Sequence, residues 1–324
     1  MSWLDGLRLP VIVVTLGPAC SSPGAIAALH AAGASLARLN TSHLDDEGLA
    51  HLLDAAEAGG FPPDRIVVDL QGGKTRLGWM ETVEVAEGDL VCLVAEASAA
   101  GPGDLRVLPV DRPSFLGALR PRDLVRIDDG RVALSIVAAA VGGWTARVEQ
   151  AGTLAARKGL ALVDREVSGG LLSRDLELVE VARHRGVSRF ALSYANPELL
   201  DQVDVPELHA KIEQAGAVGR LEALAAASDA LWLCRGDLGA EVGVVHLPAL
   251  QRRVLGSGVG PLLVAGQVLH HLTCSPRPTR SELCHLADLL RAHVTGFVLS
   301  DETAIGPHGP AAVRWIREVA AVTR

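Results

Sequence analysis

At 324 residues the chain is long enough for a full α/β barrel with one small added module, and its composition of 49% hydrophobic but only 3% aromatic residues means a core built from Ala, Val and Leu. A net charge of −8 argues against a nucleic-acid partner held through its phosphates, and no apolar run approaches the roughly 20 residues that span a bilayer, so no membrane is expected either. Cys20, Cys92, Cys234, Cys274 and Cys284 have no metal-ligand spacing, and no basic segment leads into an apolar core at the N-terminus; the thiols read as reduced and the protein as cytoplasmic.

Residues 11–16 form a β-branched run ended by Gly17-Pro18, a strand followed by a sharp turn. Residues 23–33 have helical character, with Ser21 or Ser22 as N-cap and Gly33 as the stop. A second strand at 34–39, a helix at 45–58 and a third strand at 65–70 continue the βαβ alternation of a parallel sheet. After Gly78 the grammar changes. Short period-2 runs at 82–85, 90–94, 124–127 and 133–137 are separated by turn signals at 87–89, 101–104, 128–130 and 142–143. Such spacing predicts a small antiparallel β-barrel inserted as residues 79–159 into a larger domain made of 1–78 and 160–324. The βα alternation resumes near Ser173 and ends in a helix at 310–322.

Two charged strand ends stand out. The segment Ala210-Lys211-Ile212-Glu213 closes one run, and the apolar run 230–234 stops at Arg235-Gly236-Asp237-Leu238-Gly239. In a parallel α/β sheet or barrel, charged groups at strand C-termini point into the functional mouth. Two carboxylates with a lysine between them suit a hard divalent cation and a phosphate. Ion pairs at the ends of two surface strands are the bland alternative.

These blocks are joined by others in a fixed order. They are 10–19 with Ala37-Arg38-Leu39-Asn40-Thr41-Ser42-His43, then Val68-Asp69-Leu70-Gln71-Gly72-Gly73-Lys74-Thr75-Arg76, Asp128-Asp129-Gly130 and Arg157-Lys158-Gly159, and finally 275–282 and 299–304. The set resembles the pyruvate kinase family along the whole chain. The resemblance implies a (β/α)8 TIM barrel with an inserted β lid, converting phosphoenolpyruvate and ADP to pyruvate and ATP. Typical members add a C-terminal domain that binds allosteric effectors and helps form a tetramer. The matching blocks cover barrel and lid without such a domain, and assembly into a homo-oligomer is left open.

By the same resemblance, Lys211 contacts the phosphoryl in flight, and Arg38 and Arg76 bind the transferring phosphate. Glu213 and Asp237 hold Mg2+ or Mn2+. Asn40, Ser42, Asp69 and the carbonyl of Leu70 match the monovalent-cation ligands. At the position of Lys74 many members have glutamate and need potassium; those with lysine tend not to, so K+ is not expected to be required. A solvated loop lysine is the alternative there. Gly236, Ser193 and Gly266 fall at substrate-binding positions, although a structural hydrogen bond would equally explain Ser193. His43, Lys158 and Asp129 fall on the nucleotide side, where a structural role for His43 and a plain turn at 128–130 compete.

Several positions depart from the family pattern. Gly266 replaces a threonine associated with protonation of the enolate, Gln71 a lysine, Asn196 an arginine and Asp301 a glycine. Restoring threonine at 266 would, on this reading, raise turnover. The alternatives are a specialised paralogue acting on another phosphoenol or 2-oxo acid, and a non-catalytic ligand-binding or regulatory homologue.

Overall fold

The computed structural model describes residues 3–96, 105–167 and 169–323; the turn expected at 101–104 lies outside them. The first barrel strands are β1 (Val11–Thr15), β2 (Leu36–Asn40) and β3 (Ile66–Leu70). The helices between them, Pro23–Ala31 and Asp46–Ala58, begin where expected because Ser22 and Asp45 accept the Ala25 and Gly48 N–H groups. The inserted strands follow: β4 (Thr75–Arg76), β5 (Val83–Val85), β6 (Leu90–Ala95), β7 (Arg106–Val110), β8 (Leu124–Ile127), β9 (Val132–Ala140), β10 (Gly143–Gln150), β11 (Gly152–Leu154) and β12 (Gly159–Leu162). The barrel resumes with β13 (Arg189–Leu192), β14 (Glu207–Ile212), β15 (Ala230–Cys234), β16 (Leu262–Ala265) and β17 (Gly296–Leu299).

The barrel strands close in the parallel order β1-β2-β3-β13-β14-β15-β16-β17, an α/β TIM barrel. Alternation along each strand sorts its side chains. Ile12, Val68, Phe190, Ala210, Leu231 and Val264 pack outward under the helices. Val11, Val13, Leu36, Val67, Ala191, Trp232 and Leu263 fill the interior. Stepping two residues on from the interior positions gives Thr15, Arg38, Asp69 and Ser193, and the same line on β14 carries His209, Lys211 and Glu213. Period 2 thus threads polar side chains into an apolar barrel.

The inserted domain has its own core, including Leu77, Val91, Leu93, Leu108, Ile127, Leu134, Val148 and Leu160. Its seven-stranded sheet runs β4-β12-β8-β9-β10-β6-β7, and a bridge from Leu77 to Val110 joins the two edges. One pairing differs from the antiparallel expectation: β6 and β7 are parallel. That direction brings the Val110 end of β7 to Leu77 and closes the sheet. Among the described residues no helix is long and apolar enough to cross a membrane.

The barrel floor is polar. His209, fully buried on β14, accepts the Trp232 indole N–H at Nδ1 (3.0 Å), so its Nε2 carries the proton facing Glu207 at 2.8 Å. Glu207 also pairs with Arg189 at 2.7 Å, and the Trp3 ring lies over His209 with centroids 4.8 Å apart. Glu207 is the only carboxylate paired with Arg189 or His209 among the described residues. Glu207→Leu is expected to cost about 3–5 kcal/mol, since it strands a buried guanidinium. Urea unfolding followed by tryptophan fluorescence would show it, and an unchanged midpoint would mean that the floor cluster contributes nothing.

Candidate active site

At the opposite end of the barrel, Asp69 is the centre of a buried charge cluster. Its Oδ2 takes Arg38 Nε at 2.6 Å, and its Oδ1 lies 3.1 Å from Lys211 Nζ. Lys211 also donates to Ser193 Oγ (2.7 Å) and pairs with Glu213 Oε1 (3.1 Å). Arg38 Nη1 reaches Thr15 Oγ1 at 2.9 Å. Glu213 Oε2 accepts the backbone N–H of Tyr194 at 2.8 Å. Burial works against the charges of Asp69, Arg38 and Lys211, and neighbours of opposite sign outweigh it. Asp69 is held below the usual carboxylate range by Lys211 and Arg38, and Lys211 is held above the usual lysine range by Asp69 and Glu213.

Asp237 follows β15, in the first turn of the helix Arg235–Val242. Its Oδ2 is 2.6 Å from Lys74 Nζ. Burial would raise its pKa, but Lys74 and then Lys211 and Arg76 keep it depressed. Lys74 is only 8% exposed, which disposes of a solvated loop lysine. It stands against Asp237 and apart from the Asn40, Ser42 and Asp69 group. In that group Asn40 Oδ1 accepts the Ser42 N–H (3.3 Å), the Ser42 carbonyl accepts from Arg157 Nε (3.2 Å), and the Leu70 carbonyl accepts the Ser193 N–H (3.2 Å).

The lid reaches this mouth through Asp129. A Cβ on Gly236 would lie 2.8 Å from Asp129 Oδ2, so a side chain at 236 would make Asp129 shift from this position. Burial, and then the charge of Asp237, push the Asp129 carboxyl up to about 6. Lys158 does not join it: its Nζ pairs with Asp128 at 2.9 Å within the lid. The side chain of His43 lies outside the described residues. Arg76 is buried and donates from Nη1 to the Arg157 carbonyl (2.8 Å), while its Nε has no partner among the described residues.

Glu213 and Asp237 stand just beyond the ends of neighbouring strands, Glu213 after β14 and Asp237 in the helix after β15, and β14 pairs with β15. No group of three or more His, Cys, Asp or Glu side chains is arranged to hold a metal among the described residues. The donor set still fits a hard divalent cation: Glu213 is buried, Asp237 is half-buried and kept ionised, and its Oδ1 has no hydrogen-bond partner among the described residues. Magnesium commonly takes one or two protein carboxylates and completes its shell with water and substrate oxygens.

Gly266 changes one expectation. Its φ is +86°, and its carbonyl accepts from Arg235 Nε (2.9 Å) and Nη2 (2.6 Å). A threonine there would be strained, so it is no simple repair of a missing hydroxyl. Sequence reasoning also passed over Tyr194, Arg157, Asp111 and Arg112. Only Arg157 lay in a recognised block; the others take their importance from contacts distant in sequence.

The family profile described as "Pyruvate kinase, barrel domain" matches residues 7–313. The chain is 32% identical to the pyruvate kinase of Methylorubrum extorquens, the match covering 97% of this chain and 68% of that protein. It is 30% identical to the pyruvate kinase of Aeropyrum pernix, with 97% and 70% covered, and 33% identical to that of Mycobacterium tuberculosis, with 95% and 68% covered.

A left-handed backbone costs an L side chain about 1–2 kcal/mol, and a Cβ at 266 would lie 3.2 Å from the Gly236 nitrogen. Gly266→Thr is therefore expected to lower the melting temperature and to leave turnover the same or slower, with Gly266→Ala losing less. A threonine variant that melts as the parent does and turns over faster would overturn this.

Proposed function

This chain belongs to the pyruvate kinase family, and we propose that it transfers the phosphoryl group of phosphoenolpyruvate to ADP, giving pyruvate and ATP. The observation that carries this reading is the buried Nε of Arg76, which has no partner among the described residues, in a mouth where Arg38, Lys74, Arg76 and Lys211 converge. A buried donor left unpaired costs about 1–3 kcal/mol. A dianionic phosphoryl group would satisfy it and meet the converging cations together.

Phosphoryl transfer asks a protein mainly for position and charge. Lys211 is oriented by Ser193, Asp69 and Glu213, and it gives up a carboxylate contact to follow the moving group. Arg38 is pinned by Asp69 and Thr15, so its fork is preset. Glu213 and Asp237 would hold magnesium or manganese, which supplies charge neutralisation at the phosphoryl and carboxylate oxygens. Lys74 offsets Asp237 with a fixed ammonium, and Asp69 already carries two cations, which supports turnover without potassium. On the nucleotide side, Asp129 meets the barrel at Gly236, with Lys158 and His43 assigned there from the family pattern. A second reading, turnover of another phosphoenol or 2-oxo acid, is favoured by Gly266, where Arg235 occupies the carbonyl and no hydroxyl stands.

A lactate dehydrogenase-coupled assay with phosphoenolpyruvate, ADP and magnesium is expected to show turnover, and Arg76→Met to lower kcat by about 10²–10³-fold. No turnover by the parent chain would remove the proposal. In tetramethylammonium buffer, added potassium chloride is expected to leave the rate unchanged; strong stimulation would show that Lys74 does not stand in for the cation.

A further inference from the structure

The loop from Gln71 to Arg76 crosses from barrel to lid and carries both Lys74 and Arg76. The barrel holds it through the Gln71 N–H on Asp175 Oδ1 (3.0 Å), the Gly73 N–H on the Ser193 carbonyl (3.1 Å) and Lys74 Nζ on Asp237 Oδ2 (2.6 Å). The lid holds it more extensively, through two consecutive residues that end β7. Asp111 Oδ1 accepts the Arg76 N–H (2.9 Å), its Oδ2 accepts from Gln71 Nε2 (2.7 Å), and its own N–H donates to the Arg76 carbonyl (3.0 Å). Arg112 donates from Nε to the Lys74 carbonyl (3.0 Å), from Nη2 to the Gly72 carbonyl, and from Nη1 to the Gly170 carbonyl (2.7 Å), which belongs to the segment returning from lid to barrel.

Arg112 is buried and pairs with no carboxylate among the described residues. A guanidinium taken out of water without a counter-ion is costly, and a neutral side chain of similar length would pack more cheaply. What the guanidinium provides is a rigid fork of donors that fixes backbone carbonyls on both strands of the barrel–lid connection. Gln71, one of the departures from the family pattern, belongs to the same network: its Oε1 accepts from Arg157 Nη2 at 2.5 Å.

We propose that Arg112, assisted by Asp111, is a positioning residue that fixes the 71–76 loop from the lid side and so sets where Lys74 and Arg76 stand in the barrel mouth. This rests on the phosphotransfer reading for its consequence, but not for its geometry. The fork thus keeps Lys74 within reach of Asp237 and holds Arg76 beside it.

The test compares the parent chain with Arg112→Met and Arg112→Lys by hydrogen–deuterium exchange and by phosphoenolpyruvate kinetics. In Arg112→Met, peptides covering 71–77 are expected to exchange about tenfold faster, with peptides of β14 and β10 unchanged, because only a local opening is released. The same variant is expected to lose about 100-fold in kcat/KM, as a misplaced group far from the chemistry can. Added guanidinium ion is expected to restore part of both, and Arg112→Lys to fall between. Unchanged exchange over 71–77 overturns the proposal whatever the activity does, and so does acceleration spread evenly over both domains. If Arg112→Met does not fold, exchange in Arg112→Lys decides by the same criterion. A parent chain without turnover removes the phosphotransfer reading alone, since exchange still reports on the loop.

Discussion

A carboxylate sealed inside a barrel is the constraint from which the mouth of this molecule is built. Asp69 lies on an interior line of β3, where water cannot solvate it, and an isolated ionised group there would protonate or unfold the site. Arg38 on β2 and Lys211 on β14 prevent that, approaching from the neighbouring strand and from across the mouth. Each has a second anchor of its own, Thr15 for Arg38 and Ser193 for Lys211. The two cations are therefore held in place by one shared anion. Removing Asp69 would free both side chains at once, so its effect would not be the sum of two separate contacts.

The same logic extends to the lid. Asp237 is neutralised by Lys74, which enters on the loop that leads into the lid, and Asp129 comes down from the lid against Gly236. Burial first, and then repulsion from Asp237, push the Asp129 carboxyl up to about 6, beside a depressed Asp237. Asp129 binds a proton more tightly docked than free, so this contact contributes most below the ordinary carboxylate range and is lost as pH rises through about 6. A cation at the mouth, whether Lys74 or a metal, relieves the repulsion. The lid interface is thus electrostatically tied to the site it covers.

Much of this was legible in the sequence because the relevant signals are local. The βα alternation, the Ser22 and Asp45 caps and the charged ends of the runs at 207–212 and 230–234 depend on neighbours along the chain, and the TIM barrel and family followed. What escaped depends on distant pairs or on backbone sign. Lys74 and Asp237 are 163 residues apart, and nothing local to either predicts their contact. Asp111-Arg112 reads as an unremarkable turn, yet buries both side chains against a loop more than thirty residues earlier. The parallel pairing of β6 and β7 likewise reflects closure of the lid sheet.

Gly266 shows how a substitution read residue by residue can mislead. From sequence it is a threonine without its side chain. In the folded chain it is one of two consecutive left-handed residues, with Gln267 at φ +52°, and Arg235 draws in the carbonyls of both. Arg235 also donates to His285 Nε2 at 2.7 Å, so its donors are committed to architecture. That commitment requires His285 to present a lone pair, and burial together with the nearby Arg235 charge keeps the imidazole neutral. The wall beside β16 is thus a backbone clamp where the family pattern would place a hydroxyl.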